Sequence, residues 1–271
     1  MLSWLKQLDD LLRGRKTAPE QIPSSDFPLP LGVFVPLAIL LSGTYGFFMG
    51  WYALFAHDSP GYLQLLACML KLPALFLLTL VVTLPSLYVF NAIIGCRLTF
   101  VAMLRLLVGA IVVNVAVAAS LGPILAFFTV STTSYPFMIV LNVVLLTIAG
   151  FFGLAFLLQT LRRLAVSRTL QSMDAPEEKK TPDDSAQHKP GAVDRVLFDN
   201  APRVAGDAKL IFHIWIIIYG LVGAQMGWLL RPFVGSPDLP FQWFRPRQGN
   251  FFLAVVDSLA SLLGRGGSPA G

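Results

Sequence analysis

Catalysis in a chain of 271 residues needs groups that hand over protons or electron pairs, and here such groups are scattered. The fifteen carboxylates run from Asp9 to Asp257, and none falls inside a long apolar run. Buried titratable groups at mid-membrane are what proton-coupled transport uses, and intramembrane hydrolysis needs carboxylates or histidines within helices. His57, His188 and His213 lie in three separate regions, without H-E-x-x-H spacing. Cys68 and Cys96 are 28 residues apart across one apolar unit. At 1.5 Å per residue that is about 40 Å of helix, too far for a disulfide, so both read as small apolar core residues. There is no P-loop, no dinucleotide-binding glycine turn and no G-x-S-x-G. The pattern predicts no catalytic residue, no metal and no cofactor.

The polar groups that do fall within apolar runs are neutral: Thr44, Tyr45, Thr83, Asn114, Thr147 and Tyr219. Counted inward from the ends of their runs, they stand at similar depth on five segments. Asn114 is the most polar. The layer reads first as interhelical hydrogen bonding, and second as a path for a neutral solute.

These groups must be positioned by membrane helices. The chain is 55% apolar and 13% charged, with mean hydropathy +0.69. A water-facing surface needs about twice that share of charge, which excludes an ordinary soluble enzyme. The 21 phenylalanines exclude disorder for most of the chain. Five runs are long enough to cross a hydrocarbon core: Gly32–Ala56, Leu72–Gly95, Ala102–Thr129, Tyr135–Leu161 and Lys209–Leu229. The first starts too late, and is too long, for a signal peptide. The expectation is an all-α integral membrane bundle of five helices.

Lys and Arg orient it. With the N-terminus cytoplasmic, fifteen of the twenty basic residues fall inside; Lys71, Arg231, Arg245, Arg247 and Arg265 fall outside. This asymmetry predicts an extracytoplasmic C-terminus. The net charge of +5 is then a topology signal rather than a sign of nucleic acid.

The expected units are 1–30, a cytoplasmic amphipathic segment; 31–163, four spans; 164–208, a disordered cytoplasmic linker; 209–230, the fifth span; and 231–271, an extracytoplasmic segment. In the first, Met1, Trp4, Leu5, Leu8, Leu11 and Leu12 share one helical face, predicting a helix on the membrane surface, with a solvated arm that docks on its own bundle as the alternative. Phe251–Leu263 repeats the pattern at the other end. The linker's DAPEEKKTPDDSAQHKPG (Asp174–Gly191) has no aromatic residue to bury. No internal repeat is evident.

Small residues four apart predict close helix crossings: Ser42, Gly46 and Gly50; Ala149 and Gly153; Gly220 and Ala224; Gly223 and Gly227. Pro73 and Pro85, and the Gly122–Pro123 pair, predict bends. After the fifth run, Trp228, Arg231, Trp243, Phe244, Arg245 and Arg247 interleave aromatic and basic side chains. With Gln225 they form a candidate partner- or ligand-binding surface, or a folded cap over helix ends. As a phosphate clamp the three arginines would lack a nucleophile–base pair.

YGFFMG (Tyr45–Gly50), KLPALFLLTL (Lys71–Leu80), PSLYVFNAIIG (Pro85–Gly95) and YGLVGAQMGWLLRPFVGSP (Tyr219–Pro237) resemble an uncharacterised family of bacterial polytopic membrane proteins. The resemblance implies an inner-membrane location and carries over no catalytic residue. The layout is similar to that of Yip1-type membrane proteins in architecture only. The sequence thus points to a non-enzymatic scaffold, assembly or membrane-organising subunit. Its expected partners are the lipid bilayer, and a second copy or another membrane protein. The alternative is a small channel or carrier for a neutral solute.

Overall fold

The computed structural model describes residues 2–13, 29–55, 61–93, 99–132, 134–174, 217–231, 234, 241–244 and 250–264. Among these the regular structure is helical throughout: α1 (Leu2–Leu12), α2 (Leu31–Gly50), α3 (Tyr52–Phe55), α4 (Tyr62–Ile93), α5 (Phe100–Ser131), α6 (Tyr135–Asp174), α7 (Ile217–Leu229) and α8 (Phe251–Leu262). Four stretches are long and apolar enough to cross a membrane: Leu31–Phe55, Tyr62–Val89, Phe100–Ser131 and Tyr135–Thr160. The described part of the fifth run, Ile217–Leu229, is shorter than a span.

Two boundaries differ from expectation. The second span starts at Tyr62, not Leu72, because α4 runs through Lys71, Pro73 and Pro85. A charge beside a proline reads as a helix end, yet this charge is covered by another part of the chain. The fourth helix continues to Asp174, past Leu164 where the loop was placed. The rest of that loop lies outside the described residues.

Helix ends are set by short polar side chains. The Thr99 hydroxyl accepts from Ala102 N at 3.2 Å to start α5. Asn250 does the same for Leu253 N at 3.0 Å at α8. Between α2 and α3 the path barely breaks, since Trp51 N still donates to Phe47 O at 3.1 Å.

The helices pack as neighbours α4–α2–α5–α6. Gly46 lies against Cys68 and Gly50 against Leu65, so α4 runs antiparallel to α2. Leu29 meets Gly109 and Phe48 meets Gly122, so α5 runs parallel to α2. Gly153 meets Ala110 and Asn114, so α6 returns antiparallel. Two core layers result. At the end where α2 and α5 begin, here called proximal, Phe34, Leu37, Leu84, Met103, Leu106 and Leu157 cluster. At the distal end, Tyr45, Met49, Tyr52, Leu72, Leu125 and Met138 do.

The first helix takes the alternative place, against the bundle. Leu8 and Leu11 are buried in the proximal core with Leu29 and Phe34, so α1 docks on its own bundle. Intramolecular burial takes up part of the face that was expected to enter lipid; Leu12 alone of its named leucines is described as exposed.

The spans' outer faces are apolar: Val81, Phe127 and Phe151 are 61%, 66% and 68% exposed. In water such a surface would aggregate; in hydrocarbon it costs nothing. Lipid tails therefore do not drive the helices together, and close packing must.

The small-residue spacing delivers that packing at two crossings. A Cβ on Gly46 would stand 2.6 Å from the Cys68 carbonyl oxygen and 3.0 Å from Met69 Cα. On Gly153 it would stand 2.8 Å from Ala110 O and from Asn114 Cβ. Gly223 and Gly227 face Thr79 and Leu75 across ordinary contact distances, and Gly220 faces nothing within 4 Å. Gly46→Val should therefore destabilise the bundle by about 1–3 kcal/mol, as overpacking does. Gly150→Val, whose Cβ meets nothing within 4 Å, should be near neutral. Thermal unfolding in mild detergent compares the two; equal midpoints would contradict the assigned crossing.

Candidate functional site

Most hydroxyls within the spans are used up by their own helix. Ser42 donates to Ala38 O at 2.7 Å, Thr83 to Thr79 O at 2.7 Å and Thr129 to Leu125 O at 3.0 Å. Thr44 and Thr147 stand exposed and donate to Leu40 O and Val143 O. This is how a hydroxyl is satisfied where no water reaches.

Three side-chain hydrogen bonds among the described residues join distant parts of the chain. The Tyr45 hydroxyl of α2 donates to Asn142 Oδ1 of α6 at 2.8 Å, both side chains buried. Asn142 was not singled out in the sequence; its signal is an amide in the apolar run MIVLNVVLL.

The second contact centres on Lys71, which the distribution of basic residues places on the outer side. It is a buried residue of α4, 4% exposed, about 13 Å along the helix from Tyr62. Its ammonium donates to the Trp243 backbone carbonyl, 172 residues away in sequence, and lies 5.1 Å from the Phe244 ring centroid. Gln64, Cys68 and Lys71 form one buried face of α4, with Gln64 Nε2 donating to Cys68 Sγ at 3.7 Å.

The residues after α7 form a cap at the distal end. Thr79 faces Gly223 and Leu75 faces Gly227, so α7 runs antiparallel to α4. Continued by one turn, that register brings Arg231 to the level of Lys71. The Arg231 guanidinium stacks 3.8 Å from the Trp228 ring centroid. Val234 is buried, and its carbonyl accepts from the Tyr135 hydroxyl at 3.3 Å. Tyr135 in turn packs on Tyr52, with centroids 6.3 Å apart. Phe241 meets Trp243 edge-on at 5.7 Å. Aromatic area and a few backbone carbonyls thus hold this segment across α4 and α6.

Of the residues predicted from sequence, Trp228 and Arg231 are brought together. Gln225 is partly buried on α7. Arg245 and Arg247 lie outside the described residues. The mid-depth residues do not converge as a set: Thr83 is buried and bonded within α4, Thr147 is exposed on α6, and Tyr219 packs on the proximal core. Asn114 packs over Gly153, and its Oδ1 is buried with no hydrogen-bond partner. Among the described residues no three His, Cys, Asp or Glu could hold a metal ion.

Architecture and site together define the class: a helical protein with four helices long and apolar enough to cross a membrane, as in a membrane protein, and aromatic residues packed at its distal end. Beyond that class the comparisons add nothing, for the chain matches no family model, no curated protein and no solved structure.

If Lys71 anchors the cap, Lys71→Met should loosen Phe241–Phe244 while the four spans stay folded. A spin label on Gln242→Cys, with Cys68 and Cys96 replaced by Ala, reads the mobility. A sharper spectrum is expected for Lys71→Met, and a smaller change for Lys71→Arg, which keeps a donor. Identical spectra in all three would show that the ammonium contact does not hold the segment.

Proposed function

We propose that this chain is a multi-pass protein of the bacterial inner membrane that works without catalysis, as a scaffold, assembly or membrane-organising subunit. The observation that carries the reading is where its strongest polar groups are spent. Lys71 seats the chain's own Trp243 carbonyl, and Tyr45 ties α2 to Asn142 of α6. Both contacts hold elements together; neither leaves a reactive group facing a substrate.

The fifth crossing belongs to the same proposal. α6 runs from the distal to the proximal end, and α7, antiparallel to α4, runs back to the distal end. The described turns of α7 complete a crossing if the run from Lys209 continues them. The N-terminal segment and the distal cap then lie on opposite faces of the membrane. Basic residues Arg162, Arg163 and Arg168 follow the fourth span on the proximal side, which agrees with that side being cytoplasmic. The cap, with Trp243 and Phe244 exposed, is the surface offered to a partner outside the cytoplasm.

One observation favours the second reading, a channel or carrier for a neutral solute: the unpartnered Asn114 Oδ1 near mid-membrane. Flux decides between them. Vesicles reconstituted with the protein and loaded with a neutral solute such as glycerol should leak no faster than empty vesicles. Flux at transporter rates, abolished by Asn114→Leu, would overturn the scaffold reading.

A further inference from the structure

We propose that α8 lies flat in the distal leaflet of the membrane, with lipid acyl chains covering the face made by Phe252, Val256, Leu259 and Leu263. The inference rests on the reading that the four spans are membrane-embedded, and it gives the bilayer a defined contact outside them.

α8 packs against α6 with its smaller, more polar side inward. Ser258 is buried, at 7% exposed, beside the partly buried Ala254 and Val255. Its hydroxyl is spent on its own helix, donating to Ala254 O at 2.8 Å. The large apolar side chains face away from the bundle: Val256 is 58% and Leu263 73% exposed, and Phe252 and Leu259 are exposed with them. A helix docked on a globular protein in water does the opposite.

Asp257 sets the third direction. At about 100° per residue, the centre of the apolar face stands about 130° from Ser258. Asp257, which is exposed, stands about 130° from that centre on the other side. Protein, lipid and water can therefore each take one flank of the helix. Twelve residues give about 18 Å, short of the ~30 Å of a hydrocarbon core, so α8 does not cross. Lying flat, it leaves the carboxylate in water while the apolar face sinks among the acyl chains. Both ends are closed for such a place. Asn250 accepts from Leu253 N at 3.0 Å, and Gly264, at φ 68°, donates its N–H to Ser261 O at 3.2 Å.

The position of the helix favours lipid as the cover. Trp243 and Phe244 are exposed beside Lys71, about 13 Å along α4 from its distal end. The chain from Phe244 to Asn250 reaches about 20 Å at most, so α8 begins near the distal ends of the spans. It then packs on α6, whose own outer face carries the exposed Val144 and Ile148. The bilayer that covers those residues is already present at the flank of α8. A soluble partner would instead meet this apolar face after it had stood in water, where it would aggregate. α1 buries Leu8 and Leu11 in the bundle, so of the two terminal helices only α8 keeps a broad apolar face for a leaflet.

Electron paramagnetic resonance of the full chain in vesicles of phosphatidylethanolamine and phosphatidylglycerol tests this. Collisions of a spin label with oxygen, which partitions into lipid, are compared with collisions with a water-soluble nickel chelate. Single labels are placed on Val256→Cys, on Asp257→Cys and, as a reference on a span, on Phe151→Cys, with Cys68 and Cys96 replaced by Ala. The oxygen-to-nickel ratio is expected to be high at 151 and 256 and low at 257, a reversal across one residue. Nickel-dominated collisions at 256 overturn the proposal. So does a label at 256 shielded from both agents, the result if a protein partner or a second copy covers the face. Oxygen-dominated collisions at both 256 and 257 overturn the flat arrangement. Position 151 separates the two layers of the argument. A lipid-like label at 151 with a failed 256 defeats only the placement of α8; a nickel-accessible label at 151 defeats the membrane reading itself.

Discussion

Hydrocarbon supplies no hydrogen-bond partners, and the rest of this structure follows from that constraint. Backbone groups are satisfied inside helices, so the spans are helical. Hydroxyls turn back to the carbonyl three or four residues earlier, as at Ser42, Thr83 and Thr129. A few other polar side chains reach another segment. Tyr45 reaches Asn142 across the bundle, and Lys71 reaches a carbonyl far away in sequence. Polar residues that would be routine on a soluble surface become the joints of the fold.

The same solvent removes the usual drive for helix packing. Leucines on α4 are as well placed in lipid as against α2. What favours contact is closeness, and glycine permits it where Gly46 and Gly50 meet Cys68 and Leu65, and where Gly153 meets Ala110. These crossings place α2 and α5 at the centre, with α4 and α6 on the flanks. The antiparallel order in turn stacks a proximal and a distal core layer. α1 closes the first, and Val234 is buried in the second.

Much of this was legible in the residues. Four spans follow from run length alone, and two of the four small-residue pairings proved to be tight crossings. The misses share one cause. A sequence window sees a side chain's local cost and not its distant partner. Lys71 beside Pro73 looks like a helix end because the Trp243 carbonyl that accepts its hydrogen bond is far along the chain. Asn142 looks incidental until Tyr45 is beside it. The face of α1 looks made for lipid because Leu29 and Phe34, which help bury Leu11, are not periodic with it. The candidate surface after α7 was legible as aromatic and basic residues, but its role as a cap depended on the same long-range contacts.

The central claim is that the chain crosses the membrane an odd number of times, with α7 completing the last passage toward the distal cap. Side-specific labelling tests it most directly. Single cysteines at Lys6, on α1, and at Gln242, in the cap, are probed in intact cells with a membrane-impermeant maleimide, in a background lacking Cys68 and Cys96. The account predicts labelling at position 242 in intact cells, and at position 6 only after lysis. Labelling of both positions from the same side would contradict it.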